Sequence, residues 1–364
     1  MAHSPRKGSP ARWAAVILPP LCLGGLMAWT AGMFSPAAIS PSHFMQRFHN
    51  AGAPDTGFRR AHAKGMCATG WFDPSPEGRV LSRSGVFKGE HLPVMGRFSL
   101  APPMPYLPDN PAVARSLALQ IRSATGDDWR MALVDVPLQP MRDIADAYAF
   151  FGAARLDPTT HKTDPAASQA YAAQRPWLKT AFEQVKAHKQ SSDLTNDTYN
   201  SLDSFILTND AGKQVAVRWS VVAKEDFSPA EGSGTNDGNY LFKRLVQTLD
   251  QKPLSWDIVA TVAREGDPVN DPSQPWNEAD QKVTVGTVTF TKAYSEDESP
   301  CGPMVFDPTI LPDGISVSGD PLLALRSSIY MRSYATRSAE HKTPSMVTPG
   351  DVANPPLTSD EKGQ

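Results

Sequence analysis

One stretch near the C-terminal end restricts what this chain can become more than any other. Asp320-Pro321 reads as an N-cap followed by proline at the first helical position. Leu322, Leu323, Leu325, Ile329 and Met331 then supply apolar residues for packing. At about 100° per residue, Arg326, Tyr330 and Arg337 fall within roughly 40° of one another around that helix. Tyr330 and Arg337 lie about 10 Å apart along the axis at 1.5 Å per residue. A buried stripe of arginine, tyrosine and arginine calls for a flat, anionic partner of similar length.

The tyrosine can serve as a metal ligand only as phenolate, and its ordinary pKa is about 10. A guanidinium one helical turn earlier, Arg326, reaches the phenolic oxygen and favours the charged form, while burial opposes it. A second stretch, far away in the chain, supplies a complementary group. Gly57-Phe58-Arg59-Arg60-Ala61-His62-Ala63-Lys64-Gly65 sets a histidine among arginines, in a segment that runs to the Asp73-Pro74 turn signal. Strict strand alternation would put Arg59 and His62 on opposite faces, so both reach one ligand only across a bulge or a strand end. A tyrosine below and a histidine above fit the two sides of a haem.

Arg59-Arg60-Ala61-His62-Ala63-Lys64-Gly65 resembles the distal-histidine motif of haem catalases, and Arg326-Ser327-Ser328-Ile329-Tyr330 resembles their proximal Arg-x-x-x-Tyr. Further matches keep the family's order: Gly96-Arg97-Phe98-Ser99; Trp129, Pro137 and Arg142-Asp143; Gly266-Asp267-Pro268 with Trp276-Asn277-Glu278; Val285-Gly286-Thr287-Val288-Thr289; and Phe306-Asp307-Pro308 through Gly314-Ile315. The resemblance covers residues 44–337 and is strongest to the small, exported catalase-related peroxidases. It implies Tyr330 as the axial ligand of a non-covalent haem b, a role tyrosine has in catalase, with Arg326 as its hydrogen-bond partner. It implies His62 as the distal acid–base residue with Ser99 holding its ring, and Arg59, Arg97 and Arg337 on the haem propionates. It departs from the family at Val134, where a distal asparagine is expected; Asp135 stands next to it.

The fold expected is α+β: a catalase-like antiparallel β-barrel with inserted and flanking helices, preceded by one N-terminal transmembrane helix. Strand alternation recurs at 117–122, 215–221, 256–262 and 283–290, with Gly286 a bulge. Helices are expected at 141–154, 165–189 and 240–250. Arg6, Lys7 and Arg12 precede an uncharged apolar run over 13–34, long enough to span a bilayer with the N-terminus in the cytoplasm. The division is therefore a basic cytoplasmic N-terminus (1–12), a lipid-bilayer anchor (13–34), a haem domain (35–337) and a polar tail without fixed structure (338–364). A cleaved signal is the rival reading of 13–34. Either way the body is placed in the periplasm, tethered or soluble.

A formal net charge of −3 argues against a nucleic-acid partner. Of three cysteines, Cys67 and Cys301 could pair in an oxidising compartment, and no C-x-x-C signals zinc or covalent haem. The function expected is a haem-dependent peroxidase taking hydrogen peroxide or organic hydroperoxides, with weak catalase activity and an unidentified electron donor. A homo-oligomer is compatible with this. The alternatives are a hydroperoxide-rearranging catalase relative, or an exported barrel that binds haem or lipid without catalysis.

Overall fold

The computed structural model describes residues 18–20, 22–25, 27, 39–52, 55–157, 160, 162–230, 237–277 and 279–350. The expected anchor at 13–34 lies mostly outside them. Among the described residues, no helix is long and apolar enough to cross a membrane.

Ten antiparallel strands make one sheet: β1 (Gly65–Pro74), β2 (Leu92–Leu100), β3 (Arg115–Arg122), β4 (Asp128–Val134), β5 (Thr198–Asn200), β6 (Phe205–Thr208), β7 (Gln214–Ala223), β8 (Leu254–Val262), β9 (Gln281–Tyr294) and β10 (Ile315–Val317). Their order is β10-β6-β7-β5-β4-β3-β2-β1-β9-β8, and β7 also pairs with β8. That last pairing closes eight strands into a barrel and leaves β6 and β10 as an outer extension. Closure removes the exposed edges that an open sheet of this size would present. The β5 link is thin, with Val134↔Asn200 the one pair joining it to β4.

Alternation fills the barrel. Leu117, Leu119 and Ile121 from β3, Trp129, Met131 and Leu133 from β4, and Trp256, Ile258 and Ala260 from β8 are all buried in one apolar cluster. Trp129 meets Phe72, Phe87 and Trp219 edge-on, and Phe98 packs on Tyr199, Trp256 and Phe290. Truncating any of these aromatics to alanine would cost about 3–5 kcal/mol. The expected bulge near Gly286 is present: Ile258 faces Gly286 and Val259 faces Thr284, so Val285 is the extra residue.

Alternation also decides what lies on the other face. Between the core residues, β2, β3 and β4 turn Arg97, Ser99, Ser116, Ala118, Ala132 and Val134 outward, and all six line a single cavity. Small side chains there leave a shallow wall. Helices α1 (Pro41–Gly52), α3 (Ile144–Ala153) and α7 (Pro321–Ser338) stand opposite it. They are joined by an aromatic and aliphatic cluster of Phe44, Ala147, Leu322 and Leu325. Further helices among the described residues include α2 (Pro76–Leu81), α4 (Pro165–Ala173), α5 (Trp177–Ala187) and α6 (Tyr240–Gln251). The helix expected across 165–189 is thus two, broken before Pro176, whose ring removes an amide donor.

Two boundaries differ from the sequence reading. The segment of the distal-type histidine is irregular until Gly65, where β1 begins. The chain after Ser338, expected to lack structure, is packed over part of its length: Val347 is buried in the main core, and Ser345 N–H donates to Asp297 at 2.7 Å. Residues 351–364 lie outside the described residues.

Candidate active site

Helix α7 forms as its sequence dictates. The Asp320 carboxylate accepts the Leu322 amide at 2.9 Å, Pro321 occupies the first turn, and Leu322, Leu323 and Leu325 are buried. This orients the other face toward the barrel wall. Arg326 donates from Nη2 to the Tyr330 Oη at 3.0 Å, one turn apart. Its Nη1 donates to the Asp203 carboxylate. Burial works against the Arg326 charge, yet Tyr330 and Asp203 outweigh it and raise its pKa above the ordinary arginine value. The guanidinium is therefore a fixed cation beneath the phenol.

His62 sits at a strand approach, not in a strand. Its φ is +57°, in the left-handed region that non-glycine residues rarely adopt. Its N–H donates to the Ala101 carbonyl at 2.9 Å and that of Ala63 to Pro102 at 3.1 Å, so the segment lies alongside the extension of β2. The strand-end geometry is what lets Arg59 and His62 line one cavity despite their spacing. Nδ1 of His62 is 2.8 Å from the Ser116 hydroxyl, which is 2.7 Å from the Ser99 hydroxyl. The expectation that Ser99 holds the ring directly is corrected: Ser116 stands between them. Desolvation first, then the cations Arg97, Arg326 and Arg59, lower the His62 pKa from 6.5 to about 3.

At one end of the cavity three arginines converge. Arg97 makes a two-pronged contact with Glu296, at 2.6 Å from Nε and 3.1 Å from Nη2, and also donates to the Ala63 carbonyl. The guanidinium packs over Gly65, where a Cβ would fall 2.4 Å from Nη2. Arg59 donates to the carbonyls of Cys301, Gly302 and Met304, and Arg337 to those of Gly302, Pro303 and Met304. Both therefore hold the loop after β9. The buried Arg59 Nε makes no hydrogen bond but is ion-paired with Glu296 at 3.6 Å. Burial and the neighbouring Arg97 lower its pKa to about 9. One carboxylate among three guanidiniums leaves that end positive. The loop is tied to β1 by a Cys67–Cys301 disulfide, a pairing the sequence had left open.

The cavity measures about 310 Å³, at the lower end of the range for small-molecule sites. All seven residues singled out from the sequence line it: Arg59, His62, Arg97, Ser99, Arg326, Tyr330 and Arg337. Val134 lines it as well; Asp135 does not. The Asp135 carboxylate is wholly buried, with neither oxygen hydrogen-bonded. Desolvation and the nearby Asp197 raise its pKa to about 7. It faces Asp197 and Arg115 and supplies no donor in place of the missing asparagine. Sequence reasoning missed Ser116, Asp203 and Glu296. Their signals were absent because each acts on another side chain from a different part of the chain.

The chemistry of this arrangement agrees with its relatives. The catalase family model matches residues 27–345. The chain belongs to the catalase family. It is 31% identical over 330 residues to a catalase-related peroxidase of Synechococcus elongatus, covering 90% of this chain and 96% of that one. A catalase-related peroxidase of Mycolicibacterium paratuberculosis is 27% identical over 308 residues, covering 82% and 95%. The fold is shared with a bacterial catalase at a TM-score of 0.66 and 16% identity, over 83% of this chain and 62% of that chain. A fungal catalase aligns at a TM-score of 0.64 and 17% identity, over 78% and 60%. Family membership makes this chain a haem oxidoreductase acting on peroxide.

Proposed function

We propose that the chain is a haem-dependent peroxidase using hydrogen peroxide or organic hydroperoxides, with weak catalase activity, exported to the periplasm. The observation that carries this reading is one cavity bordered by an Arg326-backed Tyr330, by a neutral His62, and by an excess of guanidinium charge at one end. The residues fit haem b. The Tyr330 phenol oxygen would hold the iron, and the guanidiniums of Arg59, Arg97 and Arg337, which share the single carboxylate of Glu296, would suit two further carboxylates. The shallow wall of small residues suits a flat macrocycle.

Haem, when bound, supplies the redox chemistry at iron; the chain's own residues handle protons and orientation. Tyr330 would hold the iron, its oxygen fixed by the Arg326 guanidinium 3.0 Å away. A pKa of about 3 leaves the His62 imidazole neutral at any ordinary pH, so it is free to accept a proton from one peroxide oxygen. The same weak basicity drives return of that proton to the departing oxygen. Val134 offers no hydrogen bond to the second oxygen. Loss of one preorganised donor costs roughly 10²–10³ in rate elsewhere, which is why dismutation is expected to be weak while oxidation of another donor is less affected. The apolar lining from Phe44, Phe48, Phe151 and Ile329 favours hydroperoxides with an organic substituent.

Export is supported by the apolar run at 13–34 and by a disulfide, which persists in oxidising compartments. The reading is tested by haem-loaded protein carrying His62→Ala. Retained haem with lost oxidation of an aromatic donor supports it; unchanged turnover overturns the acid–base role. Oxygen release measured alongside donor oxidation separates catalase from peroxidase activity.

A further inference from the structure

Among the described residues, three that are not glycine have a φ in the left-handed region: His62 at +57°, His91 at +51° and Leu202 at +60°. Histidine visits that region more readily than most residues; for a bulky aliphatic side chain it is a true outlier. Leu202 is fixed there by its neighbours. The Asp203 N–H donates to the Ser201 carbonyl at 2.7 Å, a hydrogen bond that spans a single residue. Closed around a positive φ, this is the rarer and more strained form of γ-turn. The Ser201 N–H donates to the Trp219 carbonyl at 2.9 Å, and its hydroxyl donates to the Asp203 carbonyl at 2.8 Å while accepting the Trp219 N–H at 3.3 Å. Asp203 is held in turn by Arg326. Glycine or asparagine would occupy the central position at little cost.

The leucine gains nothing from the protein's own core, for it belongs to none of the three hydrophobic clusters of the described residues. Ser201 and Asp203 are buried, whereas Leu202 stays partly exposed, and all three line the cavity. A strained backbone that sets an aliphatic side chain on a cavity wall, with no core packing to offset the strain, calls for a partner inside the cavity. Asp203 binds Arg326, and Arg326 binds the Tyr330 oxygen, so the turn stands on the tyrosine side. Resting on the haem reading above, we propose that Leu202 is a cofactor-positioning residue, held by the Ser201–Asp203 turn against the face of the macrocycle on the Tyr330 side. One turn then sets two contacts: the aliphatic one on the ring and, through Asp203 and Arg326, the polar one behind the ligand oxygen. The apolar contact removes ring surface from water, which the charged groups at the arginine end do not do.

The test uses Leu202→Asn, which keeps a residue tolerant of the left-handed region and removes the aliphatic contact. Urea unfolding of the haem-free variant is expected to show a midpoint equal to or above that of wild type. A lower midpoint, or failure to fold, would mean that Leu202 packs within the fold itself, and would overturn the proposal. In haem-loaded protein, transfer of haem to a scavenging protein should be about 10–100-fold faster for Leu202→Asn, the factor that goes with losing a buried leucine side chain. Leu202→Met should restore slow transfer. The phenolate-to-iron absorption bands should keep their position in Leu202→Asn, because Arg326 still fixes the Tyr330 oxygen. Bands lost in the variant would trace the effect to the ligand and overturn contact with the ring, as would transfer at the wild-type rate. Wild type that takes up no haem would instead overturn the haem reading on which the proposal rests.

Discussion

The Cys67–Cys301 bond closes a loop spanning 234 residues, and its removal offers a demanding test of the site's architecture. Both cysteines are fully buried among Met95, Ala118, Tyr294, Phe306 and Met304. Alanine is therefore the fitting replacement, since a serine hydroxyl would be buried there without an assured partner. In the chain-entropy model a loop of that length adds about 5.5 kcal/mol through the unfolded state, and native disulfides typically contribute about 2–5 kcal/mol. The double substitution Cys67→Ala with Cys301→Ala is thus expected to lower unfolding free energy by about 3–5 kcal/mol, read from urea-induced unfolding of the haem-free protein. A second consequence is local. Cys301, Gly302 and Met304 offer their carbonyls to Arg59, and the last two also to Arg337, while Glu296 of the same loop holds Arg97. Releasing the loop should misplace all three guanidiniums, so haem should leave the variant faster in transfer to a scavenging protein. Unfolding and transfer both indistinguishable from wild type would refute the idea that this bond sets the arginine end of the cavity.

Proton linkage at His62 gives a pH prediction of definite sign. Its folded pKa of about 3 lies below the ordinary 6.5, so between those values the unfolded chain binds more protons. Stability is complete above about pH 6.5 and falls as pH drops, by up to about 1.4 kcal/mol per unit from this group; His62→Gln should flatten that slope in acid denaturation of haem-free protein. Turnover should likewise lack an acid limb near pH 6.5, and one found there and removed by altering His62 would contradict a depressed pKa. Arg326→Leu removes the cation between Asp203 and Tyr330. Breaking such a buried pair costs about 3–5 kcal/mol, and the phenolate-to-iron absorption bands should weaken, as they should vanish in Tyr330→Phe. Intact bands in Tyr330→Phe would mean that another group holds the iron.

Periodicity and capping made much of this molecule legible. The 3.6-residue stripe of α7 predicted which residues share a face, and alternation marked β3, β7, β8 and β9 because each buries one side. The seven cavity residues were visible through spacing and resemblance. What stayed hidden depended on three-dimensional neighbours. Ser116 lies 54 residues from His62 in sequence, and Asp203 is 123 residues from Arg326. A short polar residue in an alternating strand carries no mark of what it will face. The packed chain after Ser338 was misread for a related reason. Pro, Ser and Thr suggest disorder by composition, yet one buried side chain, Val347, and a few ionic contacts suffice to pin it.

Glu340 follows the last turn of α7, ten positions beyond Tyr330. Its carboxylate accepts the Gly57 amide at 2.7 Å and pairs with Arg60, just ahead of His62. The polypeptide that carries the lower jaw thus reaches around and grips the base of the upper one. The short strap is thus one of two fastenings between the jaws, the other being the 302–304 loop that Arg59 and Arg337 share, so a cut just after α7 would leave both jaws intact and remove the first of them.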